Sequence, residues 1–173
     1  MNKPSLIPKT KAIIISDTHG NISSLPIILK KHKDADYLIH LGDGIADIHR
    51  YPSLYTTLTI VTVPGNCDPS DTNPSPHRLL KISEHRILLM HGHTLGVKGG
   101  LTRATTYSRA KSADLLLFGH THLPLCQYLP SSNGEKPLYL FNPGSLGRPV
   151  TARPTYGILE FRGNQLLLSH GRL

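Results

Sequence analysis

The chain has 173 residues and a formal net charge of +8, with 38% hydrophobic and 17% charged residues. That length supports one domain with a sizeable core, and that composition excludes general disorder. Two cysteines, Cys67 and Cys126, are too few for a disulfide framework, and the apolar runs are far shorter than a membrane span. The run at 12–15 is also too short for the apolar region of a secretory leader. The expectation is a single cytoplasmic domain, 1–173, whose basic balance suits an anionic partner. Histidine stands out at 11 residues, and it is the commonest metal ligand.

Residues 1–10 hold two prolines and no periodicity, and read as a loose arm. Residues 11–15, a lysine followed by four apolar residues, are consistent with a buried strand that stops at Ser16-Asp17-Thr18-His19-Gly20-Asn21. A helix follows over 22–32, with Ser23 or Ser24 as cap and Pro26 in the first turn. Ile27, Ile28 and Leu29 supply its buried side, and Lys30, Lys31 and Lys33 suit its C-terminal dipole. The second strand, 35–41, ends in Gly42-Asp43-Gly44, and 47–54 suits a short helix interrupted by Pro52. The third strand, 58–63, ends in Pro64-Gly65-Asn66-Cys67-Asp68. A polar loop then runs to about His77, long enough to be a functional loop. Residues 78–82 and 86–90 form a hairpin around Ser83-Glu84-His85, and the second strand runs into His91-Gly92-His93. Residues 101–111 have helical length but weak amphipathicity, and 114–118, an aspartate followed by four apolar residues, is a strand ending in Gly119-His120-Thr121-His122. Beyond Pro124 the pattern turns to β. Strands 125–129 and 138–141 bracket the turn signal Asn133-Gly134, and 156–161 and 165–169 bracket Arg162-Gly163-Asn164.

Five of these strands stop at residues able to bind a metal: Asp17 and His19, Asp43, Asn66, His91, and His120 with His122. In α/β sheets, ligands gather beyond the carboxyl ends of strands. Asp17/His19 and His120/His122 are i, i+2 pairs, which on extended backbone point the same way. Two carboxylates, an amide oxygen and four imidazoles suit Mn²⁺, Zn²⁺ or Fe²⁺ better than Ca²⁺. Seven ligands exceed one tetrahedral Zn²⁺ and suit two ions sharing a carboxylate, about 3.5–4 Å apart. Taken singly, each residue has a plainer role: Asp17 as a helix cap, Asn66 as a turn residue, His91 or His93 as a strand-end histidine. Together, in this order and each after an apolar run, they point to a metal centre. His32, His49, His77, His85 and His170 read as surface residues, and His40 as packed beneath the site rather than a ligand.

The strings Ser-Asp-Thr-His-Gly-Asn, Leu-Gly-Asp, Pro-Gly-Asn-Cys-Asp, Met-His-Gly-His, Phe-Gly-His-Thr-His and Phe-Asn-Pro-Gly-Ser span residues 16–145. With them the sequence resembles the calcineurin-like metallophosphoesterases, most of all their small YfcE-type phosphodiesterase branch. The resemblance implies an α/β fold, a two-sheet β-sandwich flanked by helices in four layers. It implies that Asp17, His19, Asp43 and His122 hold one ion and Asp43, Asn66, His91 and His120 a second, with Asp43 bridging. Manganese is the usual activating metal in similar enzymes, with Zn²⁺ and Fe²⁺ as alternatives. The implied activity is phosphodiester hydrolysis by a hydroxide bridging the two ions, with Asp43, Asn66, Cys67 and His93 as catalytic residues.

Cys67 stands where many members of the wider family carry a histidine that serves the leaving group. A cysteine there reads equally as an acid or as structural, and weak protonation favours good leaving groups such as aryl esters. Asn21, His93 and Arg148 are candidate phosphate contacts, while Asn142-Pro143-Gly144-Ser145 reads as a tight turn. The alternative is a non-catalytic scaffold like the retromer subunit of this fold, which has no need of seven intact ligand positions. Stable nucleic-acid binding is not expected, because basic residues are dispersed, aromatics are 6% and tryptophan is absent. The expected partner is a small phosphodiester or nucleotide-like substrate, not a membrane, and exposed hairpin edges leave a homo-oligomer open.

Overall fold

The computed structural model of the chain describes residues 9–69, 75–132 and 134–173. Strands whose neighbouring residues are all apolar need cover on both faces, and the fold supplies it with two packed sheets. Strands β1 (Lys9–Ile15), β2 (Tyr37–His40) and β3 (Thr59–Thr62) begin the first sheet. Strands β4 (His77–Ile82), β5 (His85–Met90), β6 (Leu115–Leu117), β7 (Pro124–Leu129) and β8 (Leu138–Pro143) form the second. Strands β9 (Thr155–Arg162) and β10 (Gln165–Arg172) return to the first. The spatial orders are β10-β9-β1-β2-β3 and β4-β5-β6-β8-β7. Strands β1, β2 and β3 pair in parallel, as do β5, β6 and β8, and the remaining strands add antiparallel at the edges.

Successive residues of β1 face opposite ways. Ala12 and Ile14 point between the sheets, where they meet Ile39, Leu89, Leu117 and Phe141. Ile13 and Ile15 point outward, under helix α1 (Leu25–Lys31) and its Leu25 and Ile28. A four-residue helix, α2 (Leu54–Thr57), precedes β3, and helix α3 (Thr102–Ala110) covers Leu88, Leu116 and Phe118 on the outer face of the second sheet. Helix, sheet, sheet and helix make the four expected layers. The parallel strands all end on one side of the sandwich, so the loops after β1, β2, β3, β5 and β6 converge there.

Several boundaries differ from expectation. Lys9 and Thr10 pair with Arg162 and Phe161 and so belong to β1 rather than to a loose arm; positions 1–8 of that arm lie outside the described residues. The first helix spans Leu25–Lys31 rather than 22–32, and neither serine caps it: Ser24 makes no side-chain cap bond, and the Ser23 hydroxyl donates to Asn21 Oδ1. Ile27, expected on its buried side, is 55% exposed. Three consecutive residues sweep about 200° around a helix, so they cannot share one face. Segment 47–54 divides into a 3-10 turn at Ile45–Arg50 and α2. Positions 70–74 of the long loop and Asn133 of the hairpin turn also lie outside the described residues. Among the described residues, no helix is long and apolar enough to cross a membrane.

Candidate metal centre

The loops beyond β1, β2, β5 and β6 bring Asp17, His19, Asp43, His91, His120 and His122 together. The expected extended i, i+2 geometry is not how this happens. Asp17, His19, Asp43, His120 and His122 have φ of 54°, 44°, 58°, 68° and 60°, all in the left-handed region. L-residues avoid that region at a cost of roughly 1–2 kcal/mol each, so contacts must hold them. Asp17 N–H donates to Gly42 O at 2.9 Å, and His19 N–H to Asp43 O at 3.1 Å. His120 N–H donates to Asp17 Oδ2 at 3.1 Å. Packing is equally close at Gly65, where an added Cβ would lie 2.1 Å from Asp43 Oδ1.

Asp17 Oδ2 also accepts the Ser16 hydroxyl at 2.5 Å. Its Oδ1 is buried without a hydrogen-bond partner, and lies 3.1 Å from His122 Nε2, 3.9 Å from His91 Nε2 and 4.0 Å from His19 Nε2. Asp43 Oδ1 accepts the Cys67 amide at 2.8 Å, and its Oδ2 lies 3.4 Å from His91 Nε2 and 3.7 Å from His19 Nε2. Backbone carbonyls set two of the tautomers. His91 Nδ1–H donates to Leu41 O and His122 Nδ1–H to Arg148 O, both at 2.7 Å. A carbonyl only accepts, so in each neutral ring the Nε2 lone pair faces the carboxylates.

Nitrogens crowd one another as well: His19 Nε2 is 3.4 Å from His122 Nε2, and His120 Nδ1 is 3.2 Å from His91 Nε2. Among the described residues, three overlapping groups have all ligand atoms within 4.8 Å: Asp17/His19/His122, Asp43/His91/His120 and His19/Asp43/Cys67. Carboxylate oxygens and neutral imidazoles aimed at common points are a donor set for borderline divalent ions.

Without a cation the carboxylates draw a proton to one of these rings: burial pulls His91 down, but Asp43 and Asp17 outweigh it and raise its pKa. Burial holds His19 below its usual pKa, and takes His120 down to about 4 with help from His91 and Lys98. Burial pushes the Asp43 carboxyl up, but the His91 ring and the Cys67 amide outweigh it and leave Asp43 below the usual carboxylate range. Burial pushes Asp17 up, against the opposing pull of His91 and Ser16.

A second layer braces these loops. Asp68 Oδ2 accepts the amides of Asp43 and Gly65 at 2.7 and 2.8 Å, and its Oδ1 those of Gly44 and Ile45 at 2.8 and 3.0 Å. Sequence reasoning gave Asp68 no role, since nothing in its spacing marks a carboxylate that collects amides. The Asn-Pro-Gly-Ser string is also a brace, with Asn142 and Pro143 the last residues of β8 rather than a turn. Asn142 Nδ2 donates to Gly119 O at 2.8 Å and to Thr121 Oγ1 at 3.1 Å. The Ser145 hydroxyl donates to Asp17 O and accepts the Arg148 amide, both at 2.8 Å. His40 is buried beneath the site, where its Nδ1 accepts the Gly42 amide and burial lowers its pKa to about 4.

The other expected site residues lie around the cluster. Asn66 is exposed, with its amide nitrogen 3.2 Å from Cys67 Sγ. Cys67 is exposed, and burial of its sulfur together with Asp43 raises its thiol pKa. His93 is half-buried with its ring centre 5.4 Å from that of His91. Asn21, two residues past His19, and Arg148, whose carbonyl accepts from His122, are exposed. Of the five histidines read as surface residues, His49 alone is exposed, and the others are half-buried. His32 pairs with Tyr156 OH at 3.0 Å, His77 with Thr94 Oγ1 at 2.8 Å, and His85 lies against Phe161. His170 donates to Asn142 O at 2.7 Å and stacks on Phe141. An imidazole has an apolar body and a polar tip, so the margins of the sandwich can cover it.

A family model described as the calcineurin-like phosphoesterase superfamily domain matches residues 11–164. The chain is 33% identical over 154 residues to the probable metallophosphoesterase YsnB of Bacillus subtilis, covering 88% of this chain and 85% of that protein. It is 27% identical over 174 residues to phosphodiesterase YfcE of Escherichia coli, covering 87% of each. The fold is similar to that of wild-type Vps29 complexed with Zn²⁺ from Entamoeba histolytica, with a TM-score of 0.72 at 22% identity over 95% of this chain and 98% of that one. Membership supports phosphoester hydrolysis and implies divalent metal ions, which the Asp and His groups could hold. By its matched domain and its relatives, the chain belongs to the calcineurin-like phosphoesterase superfamily, in the small branch that includes YfcE.

Proposed function

We propose that the protein is a phosphodiesterase acting on small phosphodiesters or nucleotide-like substrates with two divalent ions. One observation carries this reading: Asp17 Oδ1 is buried and has no hydrogen-bond partner, 3.1 Å from a ring nitrogen whose other nitrogen is committed to a carbonyl. A buried charged oxygen without a donor is strongly unfavourable, and a cation between it and the imidazoles relieves it. Asp17, His19 and His122 would hold one ion, His91, His120 and Asn66 the other, and Asp43 both. Manganese is the first candidate, with zinc and iron next. Bound there, such ions supply positive charge to a phosphoryl group and lower the pKa of water from about 15.7 towards 7.

The chain's own residues position and protonate. Leu41 and Arg148 carbonyls orient His91 and His122. Asn21 and Arg148 offer donors to phosphate oxygens. The raised pKa of Cys67 keeps its thiol protonated beside Asp43, where it can give a proton to a leaving group. A thiol is a weak acid, so activated esters are favoured. Two exposed, unbridged cysteines suit a reducing cytoplasm.

The test is hydrolysis of bis(p-nitrophenyl) phosphate and p-nitrophenyl phosphate by metal-stripped protein reloaded with Mn²⁺. Diester turnover that returns with metal and exceeds monoester turnover is the expected result. Faster monoester turnover would replace the reading with a phosphomonoesterase. Bound metal with no turnover of either would favour a scaffold.

A further inference from the structure

A cavity of about 540 Å³ lies on the outer face of the second sheet, beside the start of α3. Its walls are Val97, Leu101, Phe118, Leu123 and Leu125. Pro124 and two polar residues, Lys98 and Thr121, complete the lining. Thr121 sits between His120 and His122, so one short loop supplies both a wall of the cavity and two candidate metal ligands. Leu123, the residue after His122, is 54% exposed.

A larger cleft, about 630 Å³, lies at the opposite, amino ends of β1, β2 and β3, away from the candidate ligands. The smaller cavity therefore has the chemistry beside it, and its volume falls in the range of small-molecule sites. Its lining also limits what it can select. The Thr121 hydroxyl already accepts the Asn142 side-chain amide and the Leu123 backbone amide, at 3.1 and 3.2 Å, and donates to Leu123 O at 3.5 Å. Only the Lys98 ammonium remains, and it suits the phosphate charge better than a base edge or a sugar. The lining side chains leave no fixed hydrogen-bond pattern to read a nucleobase.

We infer that this cavity takes the apolar ester arm of the phosphodiester, an aryl or alkyl group selected by size and apolarity rather than by hydrogen bonds. The inference rests on the phosphodiesterase reading, and binding separates the two. Phenylphosphonate and methylphosphonate carry the same phosphoryl charge and differ in their arm. Calorimetry on Mn²⁺-loaded protein is expected to show phenylphosphonate bound about tenfold tighter, from the apolar area of the ring removed from water. Leu123→Ser and Leu101→Ala should each shrink that ratio, with Leu123 exposed enough that its replacement leaves the fold intact.

In turnover, phenyl p-nitrophenyl phosphate should exceed methyl p-nitrophenyl phosphate in kcat/KM by a similar factor, since both release the same phenolate. Equal affinity for the two phosphonates overturns the inference, and so does a preference that survives both substitutions. A phenyl preference lost in the variants, with no diester cleaved, upholds the cavity and removes the phosphodiesterase reading.

Discussion

Asp68→Asn tests whether the loops at the metal centre are held by one carboxylate. In the native chain each carboxylate oxygen accepts two backbone amides, from Asp43 and Gly65 on one side and from Gly44 and Ile45 on the other. Asparagine has nearly the same shape but only one oxygen. Whichever way its amide turns, two backbone N–H groups then face an NH₂ group. Hydrogen bonds to a charged group contribute roughly 1.5–3 kcal/mol each. Asp68 is half-buried, so water softens the loss and the low end applies; two bonds lost then cost about 3 kcal/mol. With a urea dependence of about 2 kcal/mol per molar for a chain of this size, the midpoint should fall by about 1.5 M. The assay is urea unfolding of the metal-free protein by circular dichroism, which keeps metal binding out of the result. Because Asp43 and Gly65 are both tethered by Asp68, Mn²⁺ affinity should also drop by about tenfold or more. A midpoint within about 0.3 M of the parent, with metal affinity unchanged, would show that the four-amide cradle is not what sets these loops.

Metal itself should stabilise the fold: at a hundred times Kd the gain is about 2.7 kcal/mol, or roughly 5–10 °C in Tm. Asp17→Asn should reduce that shift to what the second ion contributes, without lowering the metal-free Tm, because it removes a buried charge; an Mn²⁺ shift as large as the parent's would count against Asp17 as a ligand. Gly65→Ala puts a Cβ 2.1 Å from Asp43 Oδ1, so it should displace that carboxylate and weaken Mn²⁺ binding by about 100-fold. Competition with a chelating dye measures this, and unaltered affinity would mean that Asp43 does not contribute. Hydrogen bonds from Lys9 and Lys11 hold Asp34 below its ordinary pKa of 3.8. A carboxyl with a depressed folded-state pKa stabilises the fold above its unfolded pKa, and that contribution fades as the pH falls through the folded value. Asp34→Asn should therefore cost under about 1 kcal/mol at neutral pH, since the group is exposed, and the gap to the parent should close in acid. Urea midpoints that differ by the same amount from pH 7 down to about pH 2 would refute it.

The meeting of the five strand ends could be read from sequence because parallel strands are buried on both faces. Ile13, Ile14 and Ile15 are all fully buried, in alternate layers, so β1 reads as an unbroken apolar run and its end is sharp. The polar residues just beyond such ends are then the natural candidates. Asp68 could not be read this way: its role lies in amides from residues 23–25 positions away and from Gly65. The half-buried histidines escaped for a similar reason, since Phe141 beside His170 and Phe161 beside His85 are neighbours only in the folded sandwich.

Backbone handedness was equally out of reach, because it depends on contacts such as that between His120 N–H and Asp17 Oδ2, 103 positions apart. That handedness nonetheless bears on function independently of ligand chemistry. Among the described residues, seven non-glycine residues have positive φ, and five of them are Asp17, His19, Asp43, His120 and His122. The other two, Ser83 and Ser112, lie in surface turns. Strain of roughly 1–2 kcal/mol per residue survives only where surrounding contacts over-determine it. Packing has no need to gather five such residues at one end of a sandwich. A centre that must aim carboxylates and imidazoles inward from loops does, so the backbone alone marks the same place that the side chains mark.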